Sequence, residues 1–344
     1  KWKVRAGNAQ LPPEVVAEFG LSPILAKLLA NRKLTTREEV AFFLRGGRAD
    51  LPSPLLLDGM AEAVELLAAA LEQQERILIY GDYDVDGITA VALLLRVLRP
   101  YNNGNILYYL PKRLEEGYGL HRQALTKAIK HGCRLVLTVD CGISALDEAA
   151  YLAAEGVRLL LTDHHEPGVQ LPPAAALVNP KLSPDYPFPE LAGVGVAFKL
   201  LQGLATKKPE LEPVLWENID LVALGTIADV VPLLGENRIL VKEGLARITT
   251  TENTGLRTLL SQAGLVGKPV NAYHVGYILA PRLNAGGRLG DPAEALRLLL
   301  DGDPRRAHKL AASLETLNRK RQQIEEQVYR EAEKAMAAAG PPGK

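Results

Sequence analysis

The chain is poor in sulfur and in large aromatic side chains. It holds only Cys133 and Cys141, two methionines, two tryptophans and five phenylalanines in 344 residues. Two cysteines cannot form a disulfide framework, and they lack the paired spacing of a zinc site. No apolar run approaches the ~18–20 residues that span a bilayer. The opening Lys1-Trp2-Lys3-Val4-Arg5 leads into no apolar secretory segment. These absences predict a cytoplasmic chain with no membrane partner. Charge of a preferred sign is also missing, since 40 basic side chains face 40 acidic ones. A zero mean does not exclude a nucleic-acid partner, because local clustering decides that question. There is no internal repeat and no low-complexity linker. An apolar content of 47% excludes disorder over most of the length, which suits about two domains. No initiator Met is present and a charged helical pattern stops abruptly before Gly340, so a trimmed chain is expected.

What is present is a strong alternation of β-rich and helical segments between residues 76 and 162. Ile77–Tyr80, 106–110, 135–139 and 157–162 read as strands, separated by helices over about 89–97, 121–131 and 144–155. The strand runs are continuously apolar, which indicates strands buried on both faces and hence a parallel sheet. The expected class is therefore α/β, a doubly wound and mainly parallel sheet with helical additions. Before it, small helices fill residues 1–60, with Thr36 and Glu39 spaced as a capping box, and an apolar helix spans 61–74. After it, 192–300 reads as mostly helical. A long amphipathic helix over 305–338 ends the chain, its charged surface read as a solvated face.

The chemistry gathers where strands end. The first strand is followed by GDYDVDG, with Asp82, Asp84 and Asp86; the third by Asp140; the fourth by Asp163, His164 and His165. In open α/β sheets, ligands bind beyond the carboxyl ends of the strands. A lone Asp after a strand is usually a turn former or helix cap, but three acidic strand ends, one with His-His, form a joint pattern. Asp229, in the helical-looking GTIADVVPL, is a further acidic candidate. Two carboxylates about 4 Å apart repel by roughly 4 kcal/mol at an effective dielectric near 20. Several in one crevice must therefore take up protons or bind cations. Hard oxygens with a single imidazole suit two Mn²⁺ or Mg²⁺ ions better than Zn²⁺, and such a pair is the usual plan for hydrolysing a phosphate ester.

GDYDVDG, TVDCG and TDHH in this order resemble the signatures of the DHH phosphoesterase superfamily. YYLPKRLEEGYGL, VNPK, PELAGVGVAFKL, LVALGTIADVVPL and LAPRLNAGGRLGDP extend the likeness along nearly the whole chain, toward the bacterial single-strand-specific 5′→3′ DNA exonucleases of that superfamily. The resemblance implies a catalytic set of Asp140, Asp163, His164 and His165. It implies metal ligation by Asp84, Asp86, Asp140, His164 and Asp229, with Asp140 as the bridge and Asp82 on the site or just behind it. His165 would face the scissile phosphate and Asp163 would orient a histidine. Water activated by two ions would release nucleoside 5′-monophosphates one at a time. Arg113, Tyr118, Arg282, Asn284 and Arg288 are the candidate substrate contacts, with PRLNAGGR read as a Gly-rich loop that wraps phosphate and Arg288 as the terminal-phosphate contact. Gly193 and Gly195 are read as glycines of close backbone packing.

Family members carry a second domain with a Gly-Gly-His motif and, in the exonucleases, an OB-fold; neither is seen here. The expected organisation is a helical segment over 1–60, a phosphoesterase domain over 61–302 and a connector helix over 303–344. Tyr80 stands where some relatives place a metal-binding His. The implied role is DNA repair and recombination on single-stranded DNA, with a helicase and a single-strand-binding protein as partners. Two rivals are a phosphodiesterase of short oligonucleotides or cyclic dinucleotides, and a non-catalytic scaffold of the same fold. The scaffold is disfavoured because every ligand position is retained.

Overall fold

A computed structural model describes residues 10–339; the opening Lys1–Arg5 and the closing Gly340–Lys344 lie outside the described residues. Five parallel strands form one sheet, β1 (Ile77–Gly81), β2 (Ile106–Tyr109), β3 (Leu135–Val139), β4 (Arg158–Thr162) and β5 (Ala176–Val178), in the order β2-β1-β3-β4-β5. Ile77 pairs with Ile106 on one side and with Leu135 on the other, so β1 lies between β2 and β3. The chain reverses its direction of travel across the sheet at β1 and β3, the kind of switch point beyond which α/β proteins open a crevice.

Successive residues of these strands feed opposite cores, as the period of two requires. Ile77, Ile79, Leu135, Leu137 and Val139 join the larger core with α1 (Met60–Glu72) and α2 (Val85–Leu98). Leu78, Tyr80, Val136, Leu159 and Leu161 join a smaller one with α3 (Arg122–Lys130) and α4 (Leu146–Ala154). This is the doubly wound layout. The larger core also takes in α5 (Gly193–Ala205), α6 (Ile219–Ala228) and the first turns of the last helix, through Ala307, Ala311 and Leu314.

Helix α2 starts four residues before the apolar pattern does. Asp84 caps it, accepting hydrogen bonds from the backbone N–H groups of Asp86 (2.9 Å) and Gly87 (3.2 Å). Gly87 allows this tight entry: a Cβ there would lie 2.6 Å from the Asp82 nitrogen. At the N-terminal side, Thr36 and Glu39 form the expected capping box, in a group of short helices with its own small core of Leu11, Val15, Leu29 and Val40.

The Gly-rich reading of PRLNAGGR does not hold. Residues 272–289 form one continuous helix: a short α-segment (Ala272–His274), a wide π-turn (Val275–Leu279) and α7 (Ala280–Leu289). Its amides serve the helix and cannot wrap a phosphate. Gly287 is there for close approach, since a Cβ would fall 2.3 Å from the Tyr83 carbonyl oxygen. The last helix, α8 (Pro304–Ala339), is buried at its start and exposed on all sides beyond Arg321. No helix among the described residues is long and apolar enough to cross a membrane.

Candidate active site

Five elements bring acidic groups to one place. Asp82 and Asp84 follow β1, and Asp86 sits in the first turn of α2. Asp140 follows β3, Asp163, His164 and His165 follow β4, and Asp229 caps the end of α6. The imidazole Nε2 of His164 is the meeting point, 3.1 Å from Asp140 Oδ1 and 3.8 Å from both Asp86 Oδ2 and Asp229 Oδ2. Ligand atoms fall into three overlapping groups, each within 4.8 Å: Asp86, His164 and Asp229; Asp82, Asp84 and Asp140; and Asp140, His164 and His165. Asp140 is the carboxylate common to two of them.

The backbone is bent to make this happen. Asp140 adopts φ +61°, in the left-handed region that Asp tolerates better than most side chains. Gly193, at the start of α5, makes room for it, because a Cβ there would lie 2.6 Å from Asp140 Cβ and 2.7 Å from its Oδ1. The same helix start holds Asp86: the N–H groups of Gly193 (2.6 Å) and Val194 (2.8 Å) each donate to one of its oxygens. These are the orphan donors of a helix N-terminus, aimed at a negative charge. Val230, next to Asp229, has φ +66° and is 85% exposed. A β-branched residue there stores roughly 1–3 kcal/mol of strain.

Electrostatics runs against this cluster unless cations join it. Burial, and then the neighbouring carboxylates, push Asp82, Asp86 and Asp229 up to about 7, and push Asp140 well above the carboxylate range. Burial also pulls His164 down. Three buried atoms, Asp82 Oδ1, Asp140 Oδ1 and His164 Nε2, find no aligned hydrogen-bond partner. Native buried polar atoms are rarely left so.

Asp163 has a different environment. It is fully buried, which alone would raise its pKa. His165 Nδ1 lies 2.7 Å from Oδ1, and the N–H groups of Ile143 (2.9 Å), His164 (2.7 Å) and His165 (3.1 Å) donate to it, holding it below the usual range. The bond from Asp163 in turn raises His165. Asp163 is therefore placed against His165 and not against the imidazole of His164.

The crevice beside the cluster has a volume of about 300 Å³ and is lined by Asp82, Tyr83, Asp84, Arg113, Tyr118, His165, Asp229, Asn284, Gly287 and Arg288 among others. Four of the five expected substrate contacts reach it. The Tyr118 hydroxyl donates to the Asp140 carbonyl (3.2 Å), and its ring meets the His165 ring edge-on. Arg113 lies over the Tyr83 ring at 5.4 Å. Asn284 accepts from the Val85 N–H (3.1 Å), so its oxygen ties α7 to the first motif. Arg282 does not reach the crevice: it pairs with Glu315 of α8 at 2.8 Å. The Tyr80 hydroxyl donates to the Gly119 carbonyl (3.1 Å), which spends it on packing. Sequence reasoning missed Tyr83, although it stands inside GDYDVDG, and the two α5 amides, whose partner is 107 positions away.

Comparison with known proteins identifies the family. The DHH family, N-terminal domain, matches residues 76–226. A crystal structure described as exonuclease RecJ bound to manganese is 44% identical, with a TM-score of 0.74 over 80% of this chain and 69% of that one. The chain belongs to the RecJ branch of the DHH family. RecJ from Thermus thermophilus in complex with Mn²⁺ superposes with a TM-score of 0.79 at 39% identity, over 94% of this chain and 46% of that chain. Among curated relatives, the single-stranded-DNA-specific exonucleases RecJ of Bacillus subtilis and Thermus thermophilus are 39% and 41% identical, over 96% and 100% of this chain. The chain spans 42% and 49% of their lengths, about half of each.

Proposed function

We propose that this chain is the catalytic core of a metal-dependent exonuclease that degrades single-stranded DNA 5′→3′ to nucleoside 5′-monophosphates. The observation that carries the reading is the convergence of Asp86, Asp140, His164 and Asp229 on one point, with buried ligand atoms left unpartnered. Asp84, Asp86, Asp140, His164 and Asp229 would hold two Mn²⁺ or Mg²⁺ ions, with Asp140 shared between them and Asp82 beside it. The donor set fits: hard oxygens dominate, and a bound cation would give the orphaned atoms a partner. Bound ions would neutralise phosphoryl oxygens and make a water nucleophilic near neutral pH.

The remaining roles belong to the chain itself. Asp163 holds a proton on His165 Nδ1 and favours the charged imidazole. His165 thereby presents an Nε2–H donor to the phosphate where negative charge develops. Tyr118 fixes the turn that carries Asp140 and walls the crevice. Arg113 and Arg288 stand on the crevice as phosphate contacts, Arg288 toward the 5′ end. Residues 61–302 would form this catalytic unit, with 1–60 as a helical addition and 303–344 as a connector. Such an activity would work in the cytoplasm, beside a helicase that exposes the strand and a single-strand-binding protein that keeps it open.

The deciding experiment is a Mn²⁺ titration on a single-stranded oligonucleotide labelled at its 3′ end, with a duplex and a dinucleotide alongside. A ladder shortening from the 5′ end, absent with EDTA and on the duplex, is the expected result. Cleavage of the dinucleotide alone would point to a short-substrate phosphodiesterase or to a core that needs further domains to hold DNA, and a chain of the relatives' full length separates the two.

A further inference from the structure

Tyr273 and Tyr277 are exposed, 62% and 74%, yet ordered against each other, with ring centroids 5.0 Å apart and planes inclined by 25°. They stand on the helix that forms one wall of the crevice. Gly276 lies where a Cβ would meet Ile227 of α6, and Gly287, eleven residues on, lies against Tyr83. Both glycines therefore lie on the side of the helix seated on the domain. Tyr277 and Arg288 each follow one of them, and so share the next stripe round. Arg288 lines the crevice, which puts Tyr277 on the same open side, about 16 Å further along the axis.

Two further features mark this wall. The π-turn spans Val275–Leu279, and such turns are frequent at functional positions. Charge is also one-sided: residues 272–289 include no Asp or Glu, and Arg288 stays on the crevice while Arg282 pairs with Glu315.

We propose that Tyr273 and Tyr277 form a stacking platform for unpaired nucleobases a few nucleotides away from the reacting phosphate. Stacked, exposed rings on a helix without acidic residues of its own suit a nucleic-acid strand whose bases are free to stack. A duplex keeps its bases stacked on one another and offers these rings no face. This subsite would therefore help select single strands while leaving the chemistry untouched. It rests on the nuclease reading of the adjoining crevice.

The test uses the whole chain, a Tyr273→Ala/Tyr277→Ala double variant and a Tyr273→Phe/Tyr277→Phe control. Binding of a dye-labelled oligodeoxynucleotide of about twelve residues is followed by anisotropy, with EDTA and with Mn²⁺, and turnover is measured on that strand and on a dinucleotide. The alanine variant should bind the strand about tenfold more weakly, in line with stacking energies, while the phenylalanine variant binds normally. Dinucleotide turnover should be the same in all three, and their melting temperatures should agree. Abasic positions placed over the platform should cost the unaltered chain the same factor and the alanine variant nothing more. Unchanged strand binding in the alanine variant would overturn the platform, as would equal losses on strand and dinucleotide. A dimer of the unaltered chain abolished by the alanine pair would overturn it in favour of a second copy on that face. Tyrosine-dependent binding with no cleavage of any strand would refute the nuclease reading and leave the platform standing.

Discussion

Replacing Gly193 by alanine tests the architecture of the site with a single methyl group. The new Cβ would lie 2.6 Å from Asp140 Cβ and 2.8 Å from its Cγ. Carbon atoms settle at about 3.5–4.0 Å, so the carboxylate must move by about 1 Å. Asp140 has little slack, because its φ of +61° is already fixed by the turn. A displacement of about 1 Å at a reacting centre can cost about a hundredfold in rate, and that loss is expected here in kcat. Overpacking costs about 1–3 kcal/mol. The fold should therefore survive with a modestly lower melting temperature. Gly195→Ala is the internal control: its Cβ would meet only the Leu191 side chain, at 3.3 Å. Single-turnover kinetics on a 3′-labelled strand at saturating Mn²⁺, with calorimetric titration of Mn²⁺, reads both effects. Equal rates for Gly193→Ala and Gly195→Ala would refute the claim that the start of α5 positions Asp140.

Asp140→Ala should abolish hydrolysis and, in EDTA, leave the melting temperature unchanged or higher, since it removes a buried carboxylate with an unpartnered oxygen; residual wild-type activity would sink the metal assignment. Arg288→Ala should weaken binding of a 5′-phosphorylated strand about tenfold, the scale of a charged hydrogen bond, and an unphosphorylated strand much less; equal losses would remove its role. Glu236→Ala should lower stability by about 3–5 kcal/mol in urea unfolding, because it strands Lys199, whose Nζ lies 2.8 Å from Glu236 Oε2 with both side chains buried. Acid should loosen the 111–120 loop. Burial alone would raise Glu116, but the Lys112 N–H (2.8 Å) and the Tyr109 hydroxyl (2.5 Å) donate to it and hold its pKa below normal. A depressed carboxylate contributes stability above its unfolded value, near about 4.3, and loses it as pH falls through the folded value. Faster hydrogen exchange of this loop below about pH 4 is expected, and no change in Glu116→Gln.

What could be read from the sequence was local. Continuous apolar runs located four of the five strands, Thr36 and Glu39 marked a cap, and the acidic strand ends announced the crevice. What escaped depends on distant partners. β5 is three residues long, too short for any period. PRLNAGGR carries loop-forming glycines, but they are small to admit Tyr83 and α8, not to bend the backbone. Arg282 looked available until Glu315, 33 positions later, took it. Asp86 resembles any first-turn carboxylate, and nothing near it announces the two amides at 193 and 194. The π-turn that sets Tyr277 leaves no pattern in composition.

The tie between Asn284 and Val85 joins residues 199 positions apart, and it has a consequence for synthesis. Every group on the crevice wall, from Asp82 to Arg288, must have left the ribosome before the wall closes. Parallel strands with crossovers form late, because loop closure precedes the contacts that reward it. The sheet and its acidic strand ends emerge first, when no α7 exists to complete the pocket. A nascent chain thus carries its carboxylates before the wall of the crevice exists, and the pocket closes only after α7 has emerged.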